Sequence, residues 1–239
     1  MILLNNKIIE VPINQCVHFC AFRYGMNEYN PYETYIIDLY QGTPIHTARQ
    51  RFIHFLQYYR PTHMGEALGI DLQKKYPLWT YPWDRIRKSN FIEGKGWYDN
   101  PNNLPDILTH FSKAGILSFR IDEEFMWLER ALFTVRTNSY QPKKYGYVLA
   151  TLLIKQNGQS SYLLLDGNHR VSAMSALGQK SVMLQRRNNI QEKDSHQWPG
   201  VQKNIYSHAD ALLIFDAYFK GNKSYKTTST PARIIDSSC

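Results

Sequence analysis

Asp166-Gly167-Asn168-His169-Arg170 places a carboxylate, an imidazole and a guanidinium within five residues. The apolar run Leu163-Leu164-Leu165 precedes it and the small-residue run Val171-Ser172-Ala173-Met174-Ser175-Ala176-Leu177-Gly178 follows it. This pattern predicts a buried strand that delivers Asp166 at its end, a turn at Gly167, and a helix closed by Gly178. The amides of residues 168–171 then form an exposed helix N-terminus. Free N–H groups and the helix dipole attract anions there, and His169 and Arg170 add donors at the same place. The chemistry this suits is phosphate binding.

The elements that must hold this turn can be read on both sides of it. Tyr147 to Ile154 and Ser161 to Leu165 are apolar runs separated by Lys155-Gln156-Asn157-Gly158-Gln159-Ser160, a hairpin signal, and Ser181 to Leu184 reads as a returning strand. Upstream, Leu104, Ile107, Leu108 and Phe111 fall at helical spacing before Gly115, and the aromatic stretch Leu78 to Trp83 opens the region. The expected class is mixed α/β over 76–190. Residues 1–75 read as a helical extension. Asn30-Pro31 caps a short helix through Leu39, and a second helix over 47–59 puts Ala48, Phe52, Phe55, Leu56 and Tyr59 on one face before Arg60-Pro61 stops it. Residues 191–239 hold one apolar helix over 210–219 that must dock on the core, and then a polar tail.

The segment from Tyr162 to Gly178 resembles the signature of the ParB/sulfiredoxin superfamily, with its strand, DGxHR-like turn and helix ending in Leu-Gly. The resemblance extends over residues 76–186: Trp83-Asp84-Arg85-Ile86 is similar to the family's opening strand, and Asp106 to Leu117 to its helix, with 119–146 standing as an insertion. The resemblance implies a ParB/sulfiredoxin-like fold and a nucleotide site. Asn168 stands where sulfiredoxins need Cys, and residues 191–239 are not expected to form the helix-turn-helix domain of partition proteins. The turn is most similar to the Asp-Gly-His-His-Arg turn of the free serine kinases. On that similarity Gly167, Asn168, His169 and Arg170 hold the phosphates of ATP or another nucleoside triphosphate such as CTP, with magnesium. Asp166 sits at the transferring phosphoryl group, and Glu93 is the positional candidate for the base that accepts the proton of a small hydroxyl-bearing acceptor. Arg87 and Lys95 supply further cations.

Composition narrows the alternatives. The chain has 239 residues, 43% of them hydrophobic, with 17 Tyr, 5 Trp and a formal charge of +8. Basic residues outnumber acidic ones by seven to six over 1–75, twelve to nine over 76–179 and nine to five over 180–239, with no run of five like charges. A nucleic-acid-binding arm is therefore not expected, although a DNA-associated or nuclease module remains the second reading and a non-catalytic adaptor the third. Arg186-Arg187, placed after the last strand, reads as solvent-exposed. Trp79, Tyr81 and Trp83, with Trp97 and Tyr98, read as core before they read as stacking platforms. Three cysteines and scattered histidines complete no zinc site, and His46 and His54 read as partly buried packing residues. Buried reduced thiols suggest a cytoplasmic address. No stretch approaches the 18 apolar residues of a membrane span.

Overall fold

The computed structural model describes residues 7–25, 30–59, 61–84 and 118–224. These form a mixed α/β structure. Strands β1 (Lys7–Pro12), β2 (Cys16–Val17), β3 (Val148–Ile154), β4 (Ser160–Asp166) and β5 (Ser181–Gln191) lie in one mixed sheet in the order β1-β5-β3-β4-β2.

The hairpin β3–β4 forms because two Leu-rich runs flank a turn closed by Lys155 N–H to Gln159 O at 2.8 Å, with Gly158 at φ +84°. β5 then runs parallel to β3 on its other side, with a register break between Ala150 and Thr151. Helix α6 (Asn168–Ala176) carries the chain from β4 to β5 across β3. Its Val171, Ala173 and Met174 are fully buried.

Two expectations for the N-terminal third divide. Helices α1 (Pro31–Tyr40), α2 (Ile45–Tyr58) and α3 (Met64–Leu68) are present, and Asn30 caps α1 by accepting from Glu33 N at 3.2 Å. The segment before them is mainly extended, with one 3-10 turn (Ile13–Gln15) between two strands. β1 pairs antiparallel with β5, and the two residues of β2 pair parallel with β4, so this region supplies both sheet edges. β1 carries no strand signal in its sequence because it is an edge strand with only Val11 buried, which leaves no period-two pattern.

The aromatic stretch 78–84 is coil and turns, not a strand. Trp79 and Trp83 are nevertheless core. Trp79 meets Phe19 edge-on at 4.9 Å, and Trp83 lies between Tyr81, Trp198 and Phe215. β5 also extends beyond Leu184, which places Arg186 and Arg187 inside a strand, half-buried rather than free in solvent. His46 and His54 are exposed, and among the described residues the buried imidazole is His18.

The insertion over 119–146 is mostly one helix, α4 (Ser118–Asn138), followed by the single turn α5 (Pro142–Tyr145). Phe125, Leu128, Ala131 and Val135 bury one stripe of α4, and α4 packs on α6. At the C-terminal end a 3-10 segment (Glu192–Gln197) and α7 (Pro199–Gln202) lead into α8 (His208–Lys220). α8 docks as expected. Tyr76 Oη and Gln73 N donate to the buried carboxylate of Asp210 at 2.6 and 3.0 Å, and Ser161 Oγ donates to Tyr218 O at 3.2 Å. Among the described residues no helix is long and apolar enough to cross a membrane.

Candidate functional site

β4 runs past the core at its last two residues. Leu163 and Leu164 are buried, whereas Leu165 is 50% exposed and the Asp166 carboxylate 65% exposed. Gly167 then turns the chain with φ +86° and ψ 18°, a left-handed conformation that favours glycine. An added Cβ would stand 2.8 Å from Val148 Cγ2. Because the residue preceding the helix has no side chain, no side chain caps α6, and its first-turn amides keep their donors for another acceptor.

The side chains of the turn are more committed than their sequence suggests. Asn168 Oδ1 accepts from Tyr24 Oη at 3.0 Å, and Tyr24 is fully buried, its phenol held far above the ordinary range by desolvation. Asn168 therefore anchors the turn through its side chain, leaving its backbone N–H for a ligand. Arg170 donates to Gly146 O at 2.5 Å, to Tyr145 O at 3.3 Å and to Asp166 Oδ2 at 3.3 Å. This ties the turn to the loop that enters β3, and it places a cation against Asp166 whose charge still faces the cleft.

His169 Nε2 lies 2.7 Å from Glu124 Oε1. Glu124 is 2% exposed on α4, and among the described residues its Oε2 has no hydrogen-bond partner. Burying a carboxylate is expensive unless it is paired, so the imidazole is held by a charge that has no solvent to turn to. Sequence reasoning missed this residue. The signal was present in the spacing 124, 128, 131, 135, which puts Glu124 on the same stripe as Leu128, Ala131 and Val135.

Between α4, α5 and the β4–α6 turn lies an open cleft of about 550 Å³, within the size range of small-molecule sites. The turn residues 166–170 form one wall, and Trp127, Arg130, Thr134 and Tyr145 contribute to the other. A second groove of about 450 Å³ opens at the other end of α6, beside Ser175, Gly178 and Lys180. It faces the carbonyl end of the helix, the wrong end for an anion. Behind it, buried Glu33 accepts from Gly25 N and from Ser175 Oγ, with its carboxyl raised by desolvation.

The structure thus brings Asp166, Gly167, Asn168, His169 and Arg170 to one cleft. No family model, no curated protein and no solved structure matches this chain. Glu93, Arg87 and Lys95, together with Trp97, Tyr98 and the helix expected over 104–114, lie outside the described residues. Among the described residues no three His, Cys, Asp or Glu side chains converge as a metal-holding group. A magnesium ion carried in on a triphosphate needs only one or two protein carboxylates, and the exposed carboxylate of Asp166 fits that demand.

Proposed function

We propose that this cleft binds a nucleoside triphosphate and that the protein is a nucleotide-dependent phosphotransferase or nucleotide hydrolase. The observation that carries this reading is the uncapped N-terminus of α6, which opens into a nucleotide-sized cleft lined by Arg130 and Arg170. The likeness of the Asp-Gly-Asn-His-Arg turn to that of the ParB/sulfiredoxin superfamily supports the same assignment, and with it the membership of that fold.

The geometry supports one assignment of roles. The amides of residues 168–170 take a phosphate group, where backbone donors and the helix dipole act together without reorganisation. Arg170, already oriented by two carbonyls, adds positive charge without having to be ordered on binding. Asp166 lines the cleft and would hold a magnesium ion accompanying the phosphates, which would supply charge neutralisation for transfer of the terminal phosphoryl group. His169, fixed by Glu124, sits where a proton can be handled beside the phosphate. The acceptor is a small hydroxyl-bearing molecule or water, with Glu93 the positional candidate for the base used by the free serine kinase branch.

Thermal unfolding of the full chain with ATP, ADP, CTP and GTP, each with and without magnesium, tests this directly. A ligand at about a hundred times its dissociation constant adds about 2.7 kcal/mol of stability. A shift with one triphosphate that changes in Asp166→Asn supports the reading. Absence of a shift with all four refutes it.

A further inference from the structure

Three half-exposed apolar side chains from three separate elements meet at the cleft. Trp127 of α4 is 47% exposed, Tyr145 at the end of α5 48%, and Leu165 at the end of β4 50%. Single exposed apolar residues are ordinary on a protein surface, but three that converge on one concavity form a binding surface. Each aromatic ring carries a cation. The Arg130 guanidinium lies 5.6 Å from the Trp127 ring centroid, and the Lys144 ammonium 5.0 Å from that of Tyr145.

The occupant follows from charge and shape. An acyl chain or an apolar peptide would cover the shelf while stripping water from the Arg130 guanidinium and the exposed carboxylate of Asp166, and would bring no anion to Arg130. A molecule with a planar ring at one end and phosphates at the other satisfies both ends at once. The ring lies on Trp127 and Leu165, and the anionic end reaches Arg130 and the α6 N-terminus. We propose that Trp127, Tyr145 and Leu165 form the base-binding shelf of the cleft and select purine over pyrimidine nucleotides by stacking area. Ring recognition by stacking grows with the apolar area covered, and the two fused rings of a purine cover more of the indole than one pyrimidine ring does. This deepens the nucleotide reading above and rests on it.

The test is calorimetric titration of the full chain and of Trp127→Ala and Trp127→Phe with four probes: ATP, GTP, CTP and inorganic tripolyphosphate, each with magnesium. Trp127 is half-exposed, so both variants retain the fold, which their unfolding curves check. The expected result is that ATP and GTP bind more tightly than CTP, and CTP more tightly than tripolyphosphate. Trp127→Ala weakens ATP by about fivefold to a hundredfold, the range expected when a stacking aromatic is removed, and leaves tripolyphosphate unchanged. Trp127→Phe falls between. If ATP binds no better than tripolyphosphate, or Trp127→Ala leaves ATP affinity intact, the shelf is refuted while the phosphate site stands. If neither ATP nor tripolyphosphate binds, the nucleotide reading itself fails.

Discussion

His169→Ala would leave the Glu124 carboxylate buried without its only described partner, and the cost of that state can be worked from the structure. Glu124 is 2% exposed, and its one hydrogen bond, at 2.7 Å, goes to an imidazole that is 30% exposed. Removing one partner of a fully buried pair costs about 3–5 kcal/mol, and water entering the space left by a part-exposed histidine reduces this to about 2–3 kcal/mol. Glu124→Gln keeps the shape and removes the charge, at a cost of about 1 kcal/mol. The double variant leaves a neutral amide in place of the orphaned carboxylate, so its cost falls below the sum of the two single costs by more than the roughly 1 kcal/mol of Glu124→Gln. Urea unfolding followed by tryptophan emission measures all four proteins at one pH. His169→Ala should be the least stable of the four. If the two single costs simply add, the buried carboxylate is not held by His169 and the picture of an electrostatically fixed imidazole is wrong.

Further outcomes follow from the same structure. Gly167→Ala combines a left-handed backbone with a Cβ placed 2.8 Å from Val148, so it should cost about 1–3 kcal/mol in thermal or urea unfolding; an unchanged midpoint would contradict the turn geometry. Burial pushes the Cys16 thiol up to about 12 and the Cys20 thiol higher still, so neither should react with iodoacetamide at pH 8 until guanidinium unfolds the chain; rapid native labelling at either position would contradict the core. His18 is buried and held well below its ordinary value of 6.5, first by desolvation and then by His169, so the unfolded chain takes up a proton that the folded one refuses. Stability should therefore fall as pH drops below about 6.5, by up to about 1.4 kcal/mol per pH unit from this one site. His18→Asn, which can still accept from Cys20 N, should flatten that slope; an identical slope in the variant would show that His18 is not its source.

The parts of the fold that announced themselves were those whose burial writes a period. The face of α2, the capped start of α1, the β3–β4 hairpin and the docked α8 all carry continuous or helically spaced apolar residues, and each was legible. β1 was not, because an edge strand buries too little to impose alternation. The polar half of β5 was hidden for a related reason. Gln185 to Gln191 pairs in the sheet but buries little, so its sequence reads as loop.

The candidate site was legible as a turn but not as a cleft. Its backbone logic lies within five consecutive residues. Its opposite wall comes from α4, some forty residues earlier in the chain, and nothing local in 166–170 points there. Glu124 could have been found as a carboxylate on an apolar stripe. The pairing of Asn168 with Tyr24 could not, since Tyr24 belongs to a segment with no helical or strand period of its own.

The most direct test of the central claim is an amide-resolved NMR titration of the labelled full chain with magnesium ATP. Saturable shifts of the amides of Asn168, His169 and Arg170, together with the Trp127 indole, are the predicted result. Shifts confined to the groove at the other end of α6, around Ser175 to Lys180, or no shifts at any of these groups, would contradict it.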